Sequence, residues 1–235
     1  MPSKTFAEIL DEAFEQSCRM DASLNERLGA FADTVRKLNP TFAEAVDRLV
    51  ERLKEKGAGT GAPAPGDVMP SFLLPDDAGH LVSLEELLEK GPVALAFHRG
   101  HWCPYCRINT TALVEVQEKA RAEGGQIAAI LPERRQFATE LRAEAKVPFP
   151  ILLDMDNGFA MSLNLAIWVG EEMKQMMAQS GWDLPTYQGN DAWMLPIPAT
   201  FVVGTDGRVA ARFVDPDYRK RMAMEDMLDA LKSAH

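Results

Sequence analysis

Two cysteines near the middle of the chain are spaced for reversible thiol chemistry. Cys103 and Cys106 have two residues between them in the run Arg-Gly-His-Trp-Cys-Pro-Tyr-Cys. An apolar run ends at Phe97, and Pro104 predicts the start of a helix, because proline lacks the N–H that a first turn leaves unpaired. Cys103 would then occupy the N-cap, where free N–H groups and the helix dipole favour a thiolate. Cys106 lies one helical turn further on, within reach for a disulfide.

Basic side chains flank this pair. They are His98, Arg99, His101 and Arg107. Positive potential favours the thiolate, and cysteines in such settings have pKa values of ~3.5–7.5 instead of ~8.5. The sequence therefore predicts a lowered pKa for Cys103, which would be the attacking thiol.

Three interpretations of these residues stay open. A C-x-x-C pair beside a βαβ pattern favours a dithiol redox site. A structural zinc site is the second, with the ligands His98, His101, Cys103 and Cys106. Such ligands converge poorly when they cross from a strand into a helix, so we expect no metal. The third interpretation is inert, buried cysteines, and we apply it to Cys18, which stands alone on a predicted helix.

Strand and helix patterns alternate after residue 66. The predicted strands are Val93–Phe97, Gln126–Leu131, Ile151–Leu153, Thr200–Val203 and Val209–Phe213. The predicted helices are Pro104–Glu123, Arg134–Lys146 and Met224–Lys232. Alternation implies parallel crossovers, whereas Asp206-Gly207 marks a tight hairpin between the last two strands. The predicted fold class is α/β and thioredoxin-like, with a central mixed sheet flanked by helices.

Composition and periodicity divide the chain into three parts. Residues 1–56 carry apolar side chains at spacings typical of amphipathic helices and predict an N-terminal helical extension, with a break at Asn39-Pro40. Residues 57–66 are rich in Gly, Pro and Ala and predict a linker without core side chains. Residues 67–235 form the thioredoxin-like domain. Within it, residues 166–196 match no regular element, and their Met and Trp side chains either face the cysteines or pack over the sheet.

Bulk properties exclude several classes of protein. The 235 residues are 46% hydrophobic, which is enough for one sizeable domain and an accessory element. A net charge of -10 argues against a nucleic-acid binder, and the apolar runs are too short to span a membrane. Acidic residues near the N-terminus argue against a secretory signal, and three cysteines give no disulfide framework. We therefore expect a cytoplasmic protein, and with no Gly-rich phosphate loop we expect no cofactor.

Several runs beyond the cysteine motif resemble one family. They are Gly66-Asp-Val-Met-Pro-Ser-Phe-Leu-Leu-Pro75, Val82-Ser-Leu, Gly91-Pro-Val, Phe97-His-Arg-Gly-His-Trp-Cys-Pro-Tyr-Cys106, Trp193-Met-Leu-Pro-Ile-Pro-Ala-Thr-Phe-Val-Val203 and Asp215-Pro-Asp-Tyr218. Together they resemble the peroxiredoxin-like bacterial branch of the alkyl hydroperoxide reductase/thiol-specific antioxidant (AhpC/TSA) family. The resemblance runs from about Gly66 to the C-terminus.

The resemblance implies a thioredoxin fold and a division of labour between the cysteines. Cys103 would attack a hydroperoxide and become a sulfenic acid, and Cys106 would condense with it to a disulfide. A thioredoxin-type or low-molecular-weight thiol would then restore the dithiol. Whether the chain forms a homodimer is left open.

Three positions depart from the family pattern. Ala96 and Gly100 stand where peroxiredoxins place a proline and a Thr or Ser, and Pro198 stands where they place an arginine. Pro198 resembles the cis-proline that faces the cysteine pair in thioredoxin, so the Ile197-Pro198 bond is predicted to be cis. Peroxide turnover should be slow unless Arg99 or His101 replaces the missing donors.

The sequence therefore predicts a peroxiredoxin-like thiol peroxidase with Cys103, Cys106 and Arg99 as catalytic residues. His101, Trp102, Pro104 and Pro198 are predicted to bind substrate or support the site. The alternatives are a thioredoxin-like disulfide reductase using the same pair, and a non-catalytic redox sensor or binding module that acts through the helical extension.

Three polar runs receive structural interpretations. Asp156 is predicted to cap the segment from Asn157. Glu133-Arg134-Arg135 is predicted to be a solvated helix start, and Tyr218-Arg219-Lys220-Arg221 a basic surface patch.

Overall fold

The computed structural model describes residues 6–234, and the ends of the predicted extension and domain, residues 1–5 and 235, lie outside the described residues. The helices are α1 (Phe6–Arg19), α2 (Leu24–Leu38), α3 (Pro40–Glu55), α4 (Leu84–Leu88), α5 (Pro104–Ala122), α6 (Arg135–Ala145), α7 (Gly158–Ser162), α8 (Glu171–Gln179), α9 (Leu184–Gln188) and α10 (Met224–Ser233). The strands are β1 (Leu73–Pro75), β2 (Leu81–Ser83), β3 (Val93–Phe97), β4 (Gln126–Leu131), β5 (Ile151–Leu153), β6 (Ala166–Trp168), β7 (Met194–Pro196), β8 (Ala199–Val203) and β9 (Val209–Val214).

A five-stranded sheet in the order β5-β4-β3-β8-β9 forms the centre of the fold. Strands β3, β4 and β5 are parallel, while β8 pairs antiparallel with β3 and β9. This arrangement confirms the predicted mixed sheet. The central strand β3 is buried along its whole length, which explains its uninterrupted apolar sequence.

Helices α1 to α3 pack onto the sheet domain through α5 and α8. Leu28, Phe31 and Val46 share one apolar core with Tyr105 and Ile108 of α5. The predicted break between α2 and α3 is confirmed: Asn39 caps α3 by accepting the backbone N–H of Phe42 at 3.0 Å, and Pro40 is the first helical residue. The extension thus covers the N-terminal end of α5.

The Gly/Pro/Ala segment is tied to the edge of the sheet. Ala62 is buried in the apolar core, and the guanidinium of Arg212 on β9 donates to the carbonyl oxygens of Ala62 and Pro63. The expectation that no side chain of this segment joins a core is therefore wrong at Ala62. A methyl group is small enough to fill the core from an irregular segment, so composition alone hides it.

The segment 166–196 differs from its prediction. It contains β6, α8, α9 and β7, and β6 pairs antiparallel with β7 across the whole insertion. Pairing partners so far apart in sequence give no local hairpin signal, and strands of three residues are too short to show an alternating pattern.

Asp154, not Asp156, caps the short helix α7. Its carboxylate accepts the backbone N–H groups of Phe159 and Ala160 at 2.7 and 2.8 Å. Asp156 has a positive φ of 61° and accepts a hydrogen bond from Asn190 instead. The capping prediction was therefore displaced by two residues. No helix within residues 6–234 is both long and apolar enough to span a bilayer.

Candidate active site

The two cysteines lie where the central strand passes into helix α5. Cys103 has extended backbone angles (φ -88°, ψ 111°) as the N-cap residue, and Pro104 is the first residue of the helix. Both positions agree with the local sequence prediction. The two thiols are free, and Cys103 and Cys106 are only 1% and 0% exposed. Their chemistry therefore takes place below the protein surface.

Hydrogen-bond donors around the pair converge on Cys106. Its Sγ accepts the backbone N–H of Arg99 at 3.3 Å and an Nη2–H of Arg221 at 3.5 Å. Burial alone would raise the pKa of Cys106, but the hydrogen bond from the Cys103 thiol and the charge of Arg221 hold it well below the usual range. Burial raises the pKa of Cys103, which keeps the proton of the pair. The expectation of a lowered Cys103 pKa is wrong, because the donors face the inner sulfur.

Arg221 is a residue of the candidate site that sequence reasoning missed. Its side chain is 2% exposed, and its Nη1 donates to the carbonyl oxygens of Tyr218 and Lys220 at 2.5 and 2.7 Å. The predicted basic surface patch is therefore wrong at Arg221 and at Tyr218, which is also buried. A buried arginine held by carbonyl groups keeps its positive charge for the sulfur beside it.

Arg99 is a second buried arginine at the pair. It is 6% exposed, and its guanidinium carbon lies 3.9 Å from the ring centre of Tyr218 and 5.2 Å from that of Trp102. No ion pair among the described residues includes Arg99. The guanidinium lies over both aromatic rings, and without a carboxylate partner it can donate to an oxygen ligand.

His98 is held neutral behind the pair. Its Nε2 lies 2.8 Å from the amide nitrogen of Asn109, and its Nδ1 lies 3.4 Å from Oγ1 of Thr110. If the Asn109 amide donates, the imidazole proton sits on Nδ1. Burial lowers the pKa of His98 to about 4, so it contributes no charge to the thiols at neutral pH.

His101 points away from the sulfurs. Its Nδ1 lies 2.9 Å from Oε1 of Glu133, its backbone N–H donates to the other carboxylate oxygen at 2.7 Å, and its ring stacks on Phe137. Glu133 is fully buried, so the predicted solvated helix start is wrong at this residue, while Arg134 and Arg135 are exposed. The contacts of His101 with Glu133 and Phe137 tie the loop between β3 and α5 to the start of α6.

The departures at positions 100 and 198 have different structural settings. Gly100 has φ +148°, and a Cβ there would lie 2.6 Å from Oε1 of Glu133 and even closer to Nε1 of Trp102. The backbone position therefore cannot carry the hydroxyl of a Thr or Ser. Pro198 is buried between β7 and β8 and is not part of the cavity at Cys103. Its peptide bond with Ile197 is trans, so the cis prediction is wrong.

The four proposed zinc ligands do not converge. His98 is held by Asn109 and Thr110, and His101 by Glu133. Among residues 6–234, no group of three or more His, Cys, Asp or Glu side chains is arranged to hold a metal ion. Cys18 is half-buried on α1, where its sulfur accepts a weak hydrogen bond from Thr111 at 3.8 Å.

A cavity of about 370 Å³ opens onto the outer cysteine. Cys103 and Arg99 line it, whereas Cys106 does not. Trp102 and Pro104, which the sequence predicts to support the site, line it as well. Met173, Met177 and Trp182 of the insertion line it too, so both interpretations of the Met and Trp residues meet here: they are packed in the core and they face the cysteines.

Comparison with known proteins agrees with this architecture. Residues 65–212 match the AhpC/TSA family. No curated protein sequence matches the chain. Peroxidoxin BcpB from Mycobacterium tuberculosis has a similar structure with a TM-score of 0.57 and 19% identity, covering 74% of this chain and 99% of its own. Peroxiredoxin 6 of Arenicola marina has a TM-score of 0.56 and 15% identity, and the match covers 72% of each chain. Xanthomonas campestris peroxiredoxin Q has a TM-score of 0.52 and 13% identity, and the match covers 69% of this chain and 90% of its own. The fold is thioredoxin-like, as predicted.

Proposed function

The chain belongs to the AhpC/TSA family of peroxiredoxin-like thiol peroxidases, and from that premise we propose that it reduces hydroperoxides with Cys103 as nucleophile and Cys106 as resolving thiol. The observation that carries this assignment is the position of the two sulfurs. Cys103 lines the cavity through which a substrate arrives, whereas Cys106 lies behind it among the positive charges.

In the first step the proton of the pair moves from Cys103 to Cys106, and the Cys103 thiolate attacks the terminal oxygen of the hydroperoxide. The O–O bond breaks, Cys103 becomes a sulfenic acid, and the departing alkoxide takes the proton of Cys106 to leave as an alcohol. Arg99 is the donor that stabilises charge on the departing oxygen, since its guanidinium faces the same cavity without a carboxylate partner.

In the second step the Cys106 thiolate attacks the sulfur of the Cys103 sulfenic acid. A Cys103–Cys106 disulfide forms, and hydroxide leaves with a proton from solvent as water. Two electrons from a thioredoxin-type or low-molecular-weight thiol restore the dithiol. A reducing compartment such as the cytoplasm would supply that thiol.

A disulfide reductase using the same pair is the second candidate. It is favoured by Gly100, where the backbone leaves no room for the hydroxyl that peroxiredoxins direct at the peroxide. Both activities need Cys103, but only peroxide reduction needs a donor for the leaving oxygen.

The test is steady-state peroxide consumption with a thiol reductant. We expect Cys103→Ser to abolish turnover, and Cys106→Ser, which lacks both the proton acceptor and the resolving thiol, to consume at most one equivalent of peroxide per chain, more slowly than the wild type. Cys18→Ala is the matched control, since Cys18 lies outside the pair, and it should keep wild-type activity. If the wild type reduces insulin disulfides but consumes no peroxide, the second candidate takes precedence.

A further inference from the structure

One wall of the cavity above Cys103 is formed by helices that lie outside the family-matched segment 65–212. Phe14 of α1, Phe31 of α2 and Phe42 of α3 line it, opposite Met173 and Met177 of α8. The polar lining groups are Arg99 beside the sulfur, the half-buried Asn39 and Arg107, and the exposed Asp11 and Ser180. The Arg107 charge is paired with Glu144 at 3.0 Å, and the remaining lining residues are apolar or aromatic.

The volume and the contacts of this cavity suit a particular kind of ligand. Its 370 Å³ lies within the ~300–1,000 Å³ range of pockets that enclose small organic molecules. Aromatic rings from two sides converge on it, because Trp182 lies 5.6 Å from Phe42 and 5.5 Å from Trp102 between ring centres. Hydrogen peroxide has no apolar group that could use these surfaces.

We propose that the helical extension and α8 form a specificity site for hydroperoxides that carry a bulky hydrocarbon group, aryl or branched alkyl. The hydrocarbon group occupies the cavity between α1–α3 and α8, and its O–O group lies between Cys103 and Arg99. This inference rests on the proposed peroxidase function and adds the residues, in part outside the family-matched segment, that select bulky organic hydroperoxides over hydrogen peroxide. The alcohol product occupies the same apolar space after the O–O bond breaks.

The neighbouring cavity, of about 540 Å³, is less suited to such a ligand. It shares Val35 with the apolar cavity, but its Arg36 and Arg219 are both paired with Asp47 at 2.7 Å. These two charges are compensated within the protein, and Asp217, Lys220 and Arg221 add further charged groups to the lining, so this cavity suits a hydrocarbon group less well. Because Val35 lines both cavities, the test also needs a residue that lines the apolar one alone, and Ser180 meets that requirement.

Two cavity-filling variants, Val35→Trp and Ser180→Trp, test the specificity site. Lys37→Trp is the matched control, since Lys37 is an exposed residue on α2 that lines neither cavity. The kcat/KM values for cumene hydroperoxide and for hydrogen peroxide are measured for each protein, after thermal unfolding has shown that each variant folds. Calorimetric titration with 2-phenyl-2-propanol, the unreactive product alcohol, measures binding without turnover.

We expect each cavity-filling variant to lower the ratio of the two kcat/KM values at least ~10-fold, since a single methylene in an apolar pocket changes specificity ~10–200-fold. The alcohol should bind the wild type and Lys37→Trp but not the two filled variants. An unchanged ratio in both filled variants would overturn the specificity site while leaving the peroxidase intact. Failure of the wild type to consume either peroxide would instead overturn the proposed function, and with it the substrate role of the cavity.

Discussion

Arg221 places its Nη2 at 3.5 Å from the sulfur of Cys106, although 115 residues separate the two in sequence. The guanidinium is buried and has no carboxylate within the described residues to compensate it. Its charge therefore stabilises an anion on the inner sulfur. In the proposed mechanism, Cys106 therefore stores the negative charge, and Cys103 receives it when a substrate arrives.

Removal of the Arg221 charge should raise the pKa at which the pair forms its thiolate. We expect Arg221→Met to shift the midpoint of the thiolate ultraviolet absorbance upward by ~1 unit or more, the usual effect of a close opposite charge. Lys220→Met is the matched control, because the neighbouring Lys220 side chain is 54% exposed and pairs with Asp215. Equal midpoints for wild type and Arg221→Met would show that Arg221 does not hold the thiolate.

Arg99 should matter for peroxide and much less for disulfide exchange. Loss of one preorganised donor to a developing oxyanion typically costs about 100- to 1000-fold in rate. We expect Arg99→Ala to lower the second-order rate with cumene hydroperoxide at least ~10-fold, whereas reduction of a small disulfide changes little. Arg99→Lys keeps the charge but loses the bidentate edge, so an intermediate rate is expected. Equal losses in both reactions would mean that Arg99 only adjusts the thiolate.

The buried His98 should make the protein less stable in acid. Burial lowers its pKa to about 4, below the ordinary value of 6.5, so the unfolded chain binds the proton more tightly than the folded one. The free energy of unfolding therefore falls as the pH drops from 6.5 towards 4. Between about pH 7 and pH 4.5, the free energy of unfolding of His98→Asn should fall by on the order of 2 kcal/mol less than that of the wild type. Urea unfolding at several pH values measures it, and parallel curves for the two proteins would contradict the burial argument.

Glycine should be indispensable at position 100 and dispensable at position 29. A Cβ at Gly100 would contact the Glu133 carboxylate and the Trp102 ring, whereas one at Gly29 in α2 meets no atom within 4 Å. We expect Gly100→Ala to lower the free energy of unfolding by about 2 kcal/mol or more, through overpacking and backbone strain. Gly29→Ala should raise it by ~0.5–1 kcal/mol, because alanine favours the helix. A Gly100→Ala protein as stable as the wild type would contradict the described loop geometry.

The sequence predicted those parts of the site whose residues are neighbours along the chain. The apolar run before Phe97 and the proline after Cys103 together determine the strand end and the helix start, and the structure has both. The same reasoning could not assign Arg221 or Glu133. Whether a charged residue is buried depends on which distant element packs over it, and Arg221 is buried because its loop returns to Cys106.

The apolar cavity could not be predicted from the sequence for the same reason. Amphipathic periodicity predicted α1 to α3 but gave no indication of which surface they cover. Their positions over Cys103 depend on tertiary contacts such as the edge-to-face pair of Phe31 and Tyr105, whose ring centres are 5.2 Å apart. The composition of residues 57–66 predicted a linker between the extension and the thioredoxin-like domain, and it gave no sign that the helices share a core with α5.

The assignment of Cys103 as nucleophile and Cys106 as resolving thiol is tested most directly by a single turnover of the Cys106→Ser variant with one equivalent of cumene hydroperoxide and dimedone, which traps sulfenic acids. We expect a dimedone adduct on Cys103, found by peptide mass spectrometry, whereas the wild type forms a Cys103–Cys106 disulfide and leaves Cys18 reduced. An adduct that forms equally fast on Cys106 in Cys103→Ser, or a wild-type disulfide that includes Cys18, would contradict it.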